Sequence, residues 1–236
     1  MRILAIDTAT EACSAALWQD GAVLSRFQNV GRTHTEVLLP MVHELMAEAR
    51  CAFSQLDGIA CGVGPGSFAG VRISVGFVKG LALALDRPVV GVSSLAMLAR
   101  GAIRAGARDV LAVIDARMGE VYSGAFAASA QGQPCQAMVE TVCLPARVSL
   151  PGKGSWVGVG SGWNTYREVL IRAIGITPDS VDGVALPRAE DALALALPRF
   201  ESNLAISADQ LTPSYLRDKV ALTLLEQAKL RKDNQA

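Results

Sequence analysis

The order of apolar runs constrains this chain most. Three come first, with no helical pattern between them: RILAIDTAT, then SAALWQ and GAVLSRF, joined at Asp20-Gly21. An Asp-Gly pair tolerates positive φ in a two-residue turn, so these last two runs predict a tight hairpin. Helical spacing begins only afterwards. In HTEVLLPMVHELMAEAR the apolar residues Leu38, Met41, Val42, Leu45, Met46 and Ala49 recur every three or four positions, the stripe of an amphipathic helix. Proline has no N–H to give and crowds the preceding turn. Pro40 therefore belongs in the first turn, and the helix is predicted to start near Thr35–Val37. LDGIACGVG reads as a fourth strand, SFAGVRISVGFVKGLALAL as a helix ended by Asp86-Arg87-Pro88, PVVGVSS as a fifth strand and LAMLARGAIRAG as a third helix. The order β-β-β-α-β-α-β-α predicts a mixed α/β sheet, antiparallel first and parallel after.

The pattern restarts near Ala107-Arg108. DVLAVIDA, EVYSGAF and QAMVETVCL form another strand meander, followed by SWVGVG and the helical runs TYREVLIRAIG and AEDALALALPRF. The second half echoes the first without a strict repeat. Two lobes are expected, 1-107 and 108-236, each near the usual domain size of roughly 100–150 residues. A last helix at about 217-232 is expected to pack back on the first lobe.

Composition narrows the function classes. Lysine plus arginine equals aspartate plus glutamate, 22 against 22. A chain that binds nucleic acid alone shows a basic surplus or stripe, so contact with nucleic acid here needs a partner to supply the charge. The five cysteines (Cys13, Cys51, Cys61, Cys135, Cys143) contain no CxxC, which leaves reduced, mostly buried thiols as the expectation. Asp7 and Glu11 interrupt the apolar stretch that a signal peptide needs. The longest apolar window, 73–92, holds Lys79, Asp86, Arg87 and Pro88, so no membrane span is expected and the location is taken as cytoplasmic.

GVGPGSFAGVRI, Gly62–Ile73, lies between a strand and a helix, where phosphate loops sit. A Walker loop needs a lysine after its last glycine; Val71-Arg72 follow Gly70 here. A dinucleotide fingerprint fits Gly64-x-Gly66-x-x-Ala69, but this turn follows the fourth strand, and no acid ends the next one. A nucleophile elbow needs glycines two residues either side of the serine; Ser67 has Pro65 and Ala69. The mechanical alternative is a Pro65-Gly66 turn, a Ser67 cap, and a Gly70 that lets the helix start against another backbone. Gly76, Gly80 and Ala84, spaced by four, form a ridge of small side chains on that helix.

Other candidates are sparser. Asp7 and Thr8 end the first strand and Ser14 enters the second, positions from which a nucleotide phosphate is reached through magnesium. A lone aspartate at a strand end is more often a turn former. His34 and His43 are off the i, i+4 spacing of a metal pair and read as solvent or interface residues. Asp115-Ala116-Arg117 with Glu120-Val121-Tyr122 reads as a solvated hairpin turn or a contact site. Pro213-Ser214-Tyr215-Leu216-Arg217 reads as the lead into a last helix.

Together, ILAIDTAT, H-T-x-x-L-L-P at 34–40, GPGSFAGVRI-x-x-G-x-x-K-G-L-A at 64–82, DAR-x-x-E-V-Y at 115–122 and P-x-Y-L-R at 213–217 resemble the TsaB (YeaZ) family. The first 120 residues carry the resemblance, and 130–205 match weakly. It implies a two-lobed actin/Hsp70-like (ASKHA) fold with RNase H-like sheets. It also implies a non-catalytic subunit for threonylcarbamoyl transfer to adenosine 37 of tRNAs reading ANN codons. The implied partners are TsaD and TsaE, with a homodimer when alone and tRNA reached only through the complex. ATP and metal belong on the partner subunits, and this chain carries no cofactor or metal of its own. The catalytic paralogue TsaD holds a metal through HxxxH, where Ser94 and Leu98 stand here. Related kinases carry glycine two residues after the first aspartate, where Ala9 stands. Asp7, Thr8 and Ser14 are left as a degenerate nucleotide site. The resemblance places the partner interface on the first two helices, at His34, Leu38, Met41, Val42, Leu45, Arg72, Gly76, Lys79 and Gly80. A weak ATPase or kinase is the alternative, and a peptidase a more distant one.

Overall fold

The structure, a computed structural model, describes residues 1–175 and 177–217. β1 (Arg2–Asp7), β2 (Ala12–Gln19) and β3 (Ala22–Asn29) form an antiparallel meander. Asp20 and Gly21 take φ of 51° and 93°, the left-handed turn whose twist matches its strands. β4 (Gly58–Gly64) pairs parallel with β1, and β5 (Val89–Ser93) pairs parallel with β4. The order is β3-β2-β1-β4-β5, mixed as the element order predicts. α1 (His34–Glu48) and α2 (Phe68–Leu85) cover one face over a core that includes Leu4, Ile6, Val42, Leu45, Ile59 and Val78. α3 (Ser94–Arg104) and α5 (Ala189–Glu201) cover the other face, around Ile3, Val90, Met97 and Leu193.

The second sheet repeats this plan. β6 (Asp109–Arg117), β7 (Glu120–Ala128) and β8 (Pro134–Cys143) are an antiparallel meander, and β9 (Trp156–Val159) and β10 (Ser180–Asp182) add in parallel beside β6. The order β10-β9-β6-β7-β8 has the connectivity of the first sheet. α4 (Ser161–Ile174) packs on one face through Trp163 and Leu170. α3 packs on the other through Leu95, Leu98, Ala99 and Ile103, and so touches both sheets at the back of the molecule.

Two expectations need correction, and one strand was not anticipated. α1 starts at His34, so Pro40 sits in its second turn. The carbonyl it leaves unpaired is that of Glu36, and both residues lie on the exposed side, open to solvent. β10 has three residues, too short to give a period in the sequence. Finally, residues 189–211 do not stay with the second lobe. α5 lies on the first sheet, Ile206 exchanges backbone hydrogen bonds of 2.9 and 2.8 Å with Val89, and Leu211 is buried in the first core. The last helix expected at about 217-232 lies outside the described residues, apart from Arg217.

Candidate functional site: an interlobe cleft and an exposed helix

The glycine-rich loop is fastened to the β1–β2 turn. Ser67 N–H donates to the Ala9 carbonyl at 2.7 Å, and Thr8 Oγ1 donates to the Gly70 carbonyl at 2.7 Å. A Cβ at Gly66 would lie 2.1 Å from the Ala9 oxygen, and one at Gly70 2.1 Å from the Thr8 oxygen. Only glycine permits that approach. Ser67 caps α2, its Oγ accepting from Gly70 N–H at 3.3 Å. The mechanical reading of GVGPGSFAGVRI therefore holds, and the Ser67 and Gly70 N–H groups are spent inside the chain.

Asp7, Thr8 and Ser14, expected at a nucleotide phosphate, are interior instead. All three are buried, and none lines the cleft between the lobes. Ser14 Oγ accepts from Ala189 N–H at 3.0 Å, and so serves the return of α5 to the first sheet. One Asp7 oxygen accepts from Ala9 N–H at 3.4 Å; the other has no hydrogen-bond partner and fills the space beside Gly62. Burial pushes the Asp7 carboxyl up to about 7, and the Ala9 bond opposes this only in part. Magnesium held with a nucleotide needs oxygen donors around positions open to the phosphates. Asp7 offers no open position. Among the described residues, no three His, Cys, Asp or Glu side chains gather as metal ligands. The residues present do not fit a magnesium-nucleotide group held by Asp7.

The cleft itself has a volume of 690 Å³. Thr10, Glu11, Arg32, Phe68 and Arg72 stand on its first-lobe wall, and Asp115, Arg117, Tyr122, Ser161 and Thr165 on the other. Asp115-Ala116-Arg117 is a wall of this cleft as well as a turn. Arg117 reaches across to Glu11 at 3.7 Å, and Ser214 to Arg217 run over the opening.

The expected interface residues divide by helix. Leu38, Met41, Val42 and Leu45 form the face of α1 that packs on the sheet, so this apolar stripe serves the core. His34 is also buried; its Nε2–H donates to the carbonyls of Thr10 (2.8 Å) and Ala12 (3.2 Å). His43 is exposed, edge-on to the Phe53 ring at 5.3 Å. Lys79 is turned to its own chain and donates to the Asp209 carbonyl at 3.0 Å. Arg72, Gly76 and Gly80 are exposed, and a Cβ at either glycine would meet nothing within 4 Å.

The sequence reading missed Phe68 and Leu83, 59% and 65% exposed on the same helix. The signal was present: 68, 72, 76, 80 and 84 run at four-residue spacing along one helical face. By length and composition α2, 68–85 rather than the window 73–92, is apolar enough to cross a membrane, yet only 33% of it is buried in the fold. Its inner face (Val71, Ser74, Val75, Val78, Ala82) packs on the sheet. On its outer side Arg72 lies over the Phe68 ring, while Gly76, Gly80 and Leu83 are exposed, with no residue packed over the two glycines among the described residues.

The family model described as "TsaD: tRNA N6-adenosine threonylcarbamoyltransferase" matches residues 28–223. An Escherichia coli protein named "tRNA threonylcarbamoyladenosine biosynthesis protein TsaB" is 41% identical over 94% of this chain and 96% of its own length. The Haemophilus influenzae protein of the same name is 36% identical over 93% and 95%. The chain belongs to the TsaB family. The solved YeaZ from Pseudomonas aeruginosa superposes with a TM-score of 0.85 at 45% identity, covering 91% of this chain and 99% of its own. The TsaB-family fold is thus the two-lobed, actin-like one, with two five-stranded mixed sheets. Ser94 is buried and Leu98 packs against the second sheet. Neither is a metal donor at that spacing.

Proposed function

We propose that the chain is a non-catalytic subunit in the synthesis of threonylcarbamoyladenosine at position 37 of tRNAs reading ANN codons. It acts by pairing through the outer face of α2 with a TsaD-like enzyme, which TsaE then joins. It works in the cytoplasm, reaches tRNA only through the complex, and leaves ATP and metal to the partner subunits. Alone, it pairs with a second copy through the same face. One observation carries this reading: α2 is an apolar helix on which Gly76, Gly80 and the exposed Leu83 are left uncovered by the described residues. Small residues let two helix backbones approach closely, and exposed apolar surface of this kind marks interaction sites. The interior Asp7, Thr8 and Ser14 support it from the other side, since none of the three is open to a phosphate in the cleft.

Omitting this chain from a reconstituted reaction of TsaD, TsaE, ATP, threonylcarbamoyl-adenylate and tRNA should abolish modification. Unchanged modification would remove the reading. A finer test is Gly80→Leu. With no neighbour to strike among the described residues, the fold should stand, while an inserted side chain at the contact should weaken pairing by about tenfold or more, the ~1.4 kcal/mol scale of a damaged interface contact. Sedimentation and pull-down with the folded variant check this.

A further inference from the structure

The geometry points to an interlobe latch: Pro213–Arg217 ties the first lobe to the β6–β7 turn and sets how far the cleft opens. The two motifs left without a role, P-x-Y-L-R and DAR-x-x-E-V-Y, are its two halves. The segment is rooted in the first lobe, with Leu211 buried in the core and Ser214 N–H donating to the Val63 carbonyl at 2.8 Å. Tyr215 then faces Arg72, whose guanidinium lies 5.1 Å from its ring and 3.3 Å from that of Phe68. Arg217 crosses to the second lobe. Its Nη2 donates to Glu120 Oε2 at 2.6 Å and to the carbonyls of Ala116 (3.1 Å) and Arg117 (3.4 Å).

The receiving turn is shaped for this. Arg117, Met118 and Gly119 take φ of 62°, 55° and 76°, left-handed at three consecutive residues, two of which are not glycine. Such backbone persists where its surroundings hold it in place. Here it turns two carbonyls and the Glu120 carboxylate toward one guanidinium, whose planar fork serves several acceptors at once. Among the residues lining the cleft, Arg117 to Glu11, between exposed groups at 3.7 Å, is a second tie between the lobes; Ser93 to Glu140 and Gln133 to the Ala194 carbonyl join them away from it. The back of the molecule is joined by the packed α3, so the mouth is the side free to widen, with α3 as the pivot. Arg217 itself is only 16% exposed, which shields its ion pair from solvent.

The test needs only the chain itself, with the labelled protein diluted in excess unlabelled chain so that distances within one copy are read whether or not two copies pair. Nitroxide labels on Arg32→Cys and Thr165→Cys, exposed residues on opposite cleft walls, report the opening by double electron–electron resonance. Cys135→Ser and Cys143→Ser clear the more accessible thiols. Arg217→Ala should move the distance distribution to longer values, beyond the width seen with arginine in place. Arg217→Lys, which keeps charge but loses the fork, should fall between. Glu120→Ala, which leaves the strap intact, should move the distribution in the same direction and supplies the readout if Arg217→Ala does not fold. Distributions for Arg217→Ala or Glu120→Ala that superpose on the parent would overturn the proposal.

Discussion

Asp7→Asn is expected to stabilise the fold by about 4 kcal/mol at pH 8 and to leave it nearly unchanged at pH 4. The sign follows from proton uptake. Burial raises the Asp7 carboxyl from 3.8 to about 7. Between those values the folded chain holds a proton that the unfolded chain has lost. Stability from this group is therefore full below pH 3.8, falls as pH rises toward 7, and is flat above. Among the described residues, the causes acting on this carboxyl are burial and one backbone N–H, with no cation beside it. Asparagine removes the ionisation and keeps the shape. Denaturant titrations of both proteins across pH 4 to 8 check it. Parallel curves would show that Asp7 is solvated or paired after all.

Gly70→Ala should cost about 3 kcal/mol, lowering Tm by roughly 10 °C in a chain of this size. The added methyl would lie 2.1 Å from the Thr8 carbonyl oxygen, a backbone atom that moves only if the β1–β2 turn and the glycine loop part. Parting them also breaks the Ser67–Ala9 and Thr8–Gly70 hydrogen bonds. Gly76→Ala, six residues on in the same helix, is the internal control. It meets open space and should stabilise by up to about 1 kcal/mol through helix propensity alone. Opposite signs from one chemical change, read by thermal unfolding, would separate the glycines that serve the core from those on the outer face. A Gly70→Ala protein as stable as its parent would contradict the fastened-loop geometry.

Much of the fold was legible because its periods are strong and its turns chemically marked. Asp20-Gly21 gave the hairpin, and the alternation after β3 gave the mixed sheet. What misled was the stripe on α1. Leu38, Val42 and Leu45 carry the same spacing whether a helix packs on its own sheet or on a partner, and only the sheet decides. Asp7 misled similarly. An aspartate ending β1 is at a ligand position in topology, but the approach of Gly66 and Gly70 to the turn beside it is a contact between segments some sixty residues apart. No local pattern encodes that contact. The Arg217–Glu120 pair was missed for the same reason, although both motifs had been noticed. The return of residues 189–211 to the first lobe depends on Ser14, Val89 and the core around Leu193, long-range partners that a pass along the chain does not reveal.

The central claim is that this chain works through the outer face of α2 and not through the Asp7 position. Complementation of cells depleted of their own copy tests it most directly, with threonylcarbamoyladenosine in bulk tRNA as the readout. Asp7→Asn should restore the modification to the parental level, and Gly80→Leu, expressed and folded, should not. Restoration by Gly80→Leu together with failure of a folded Asp7→Asn would contradict the account and return the function to the interior carboxylate.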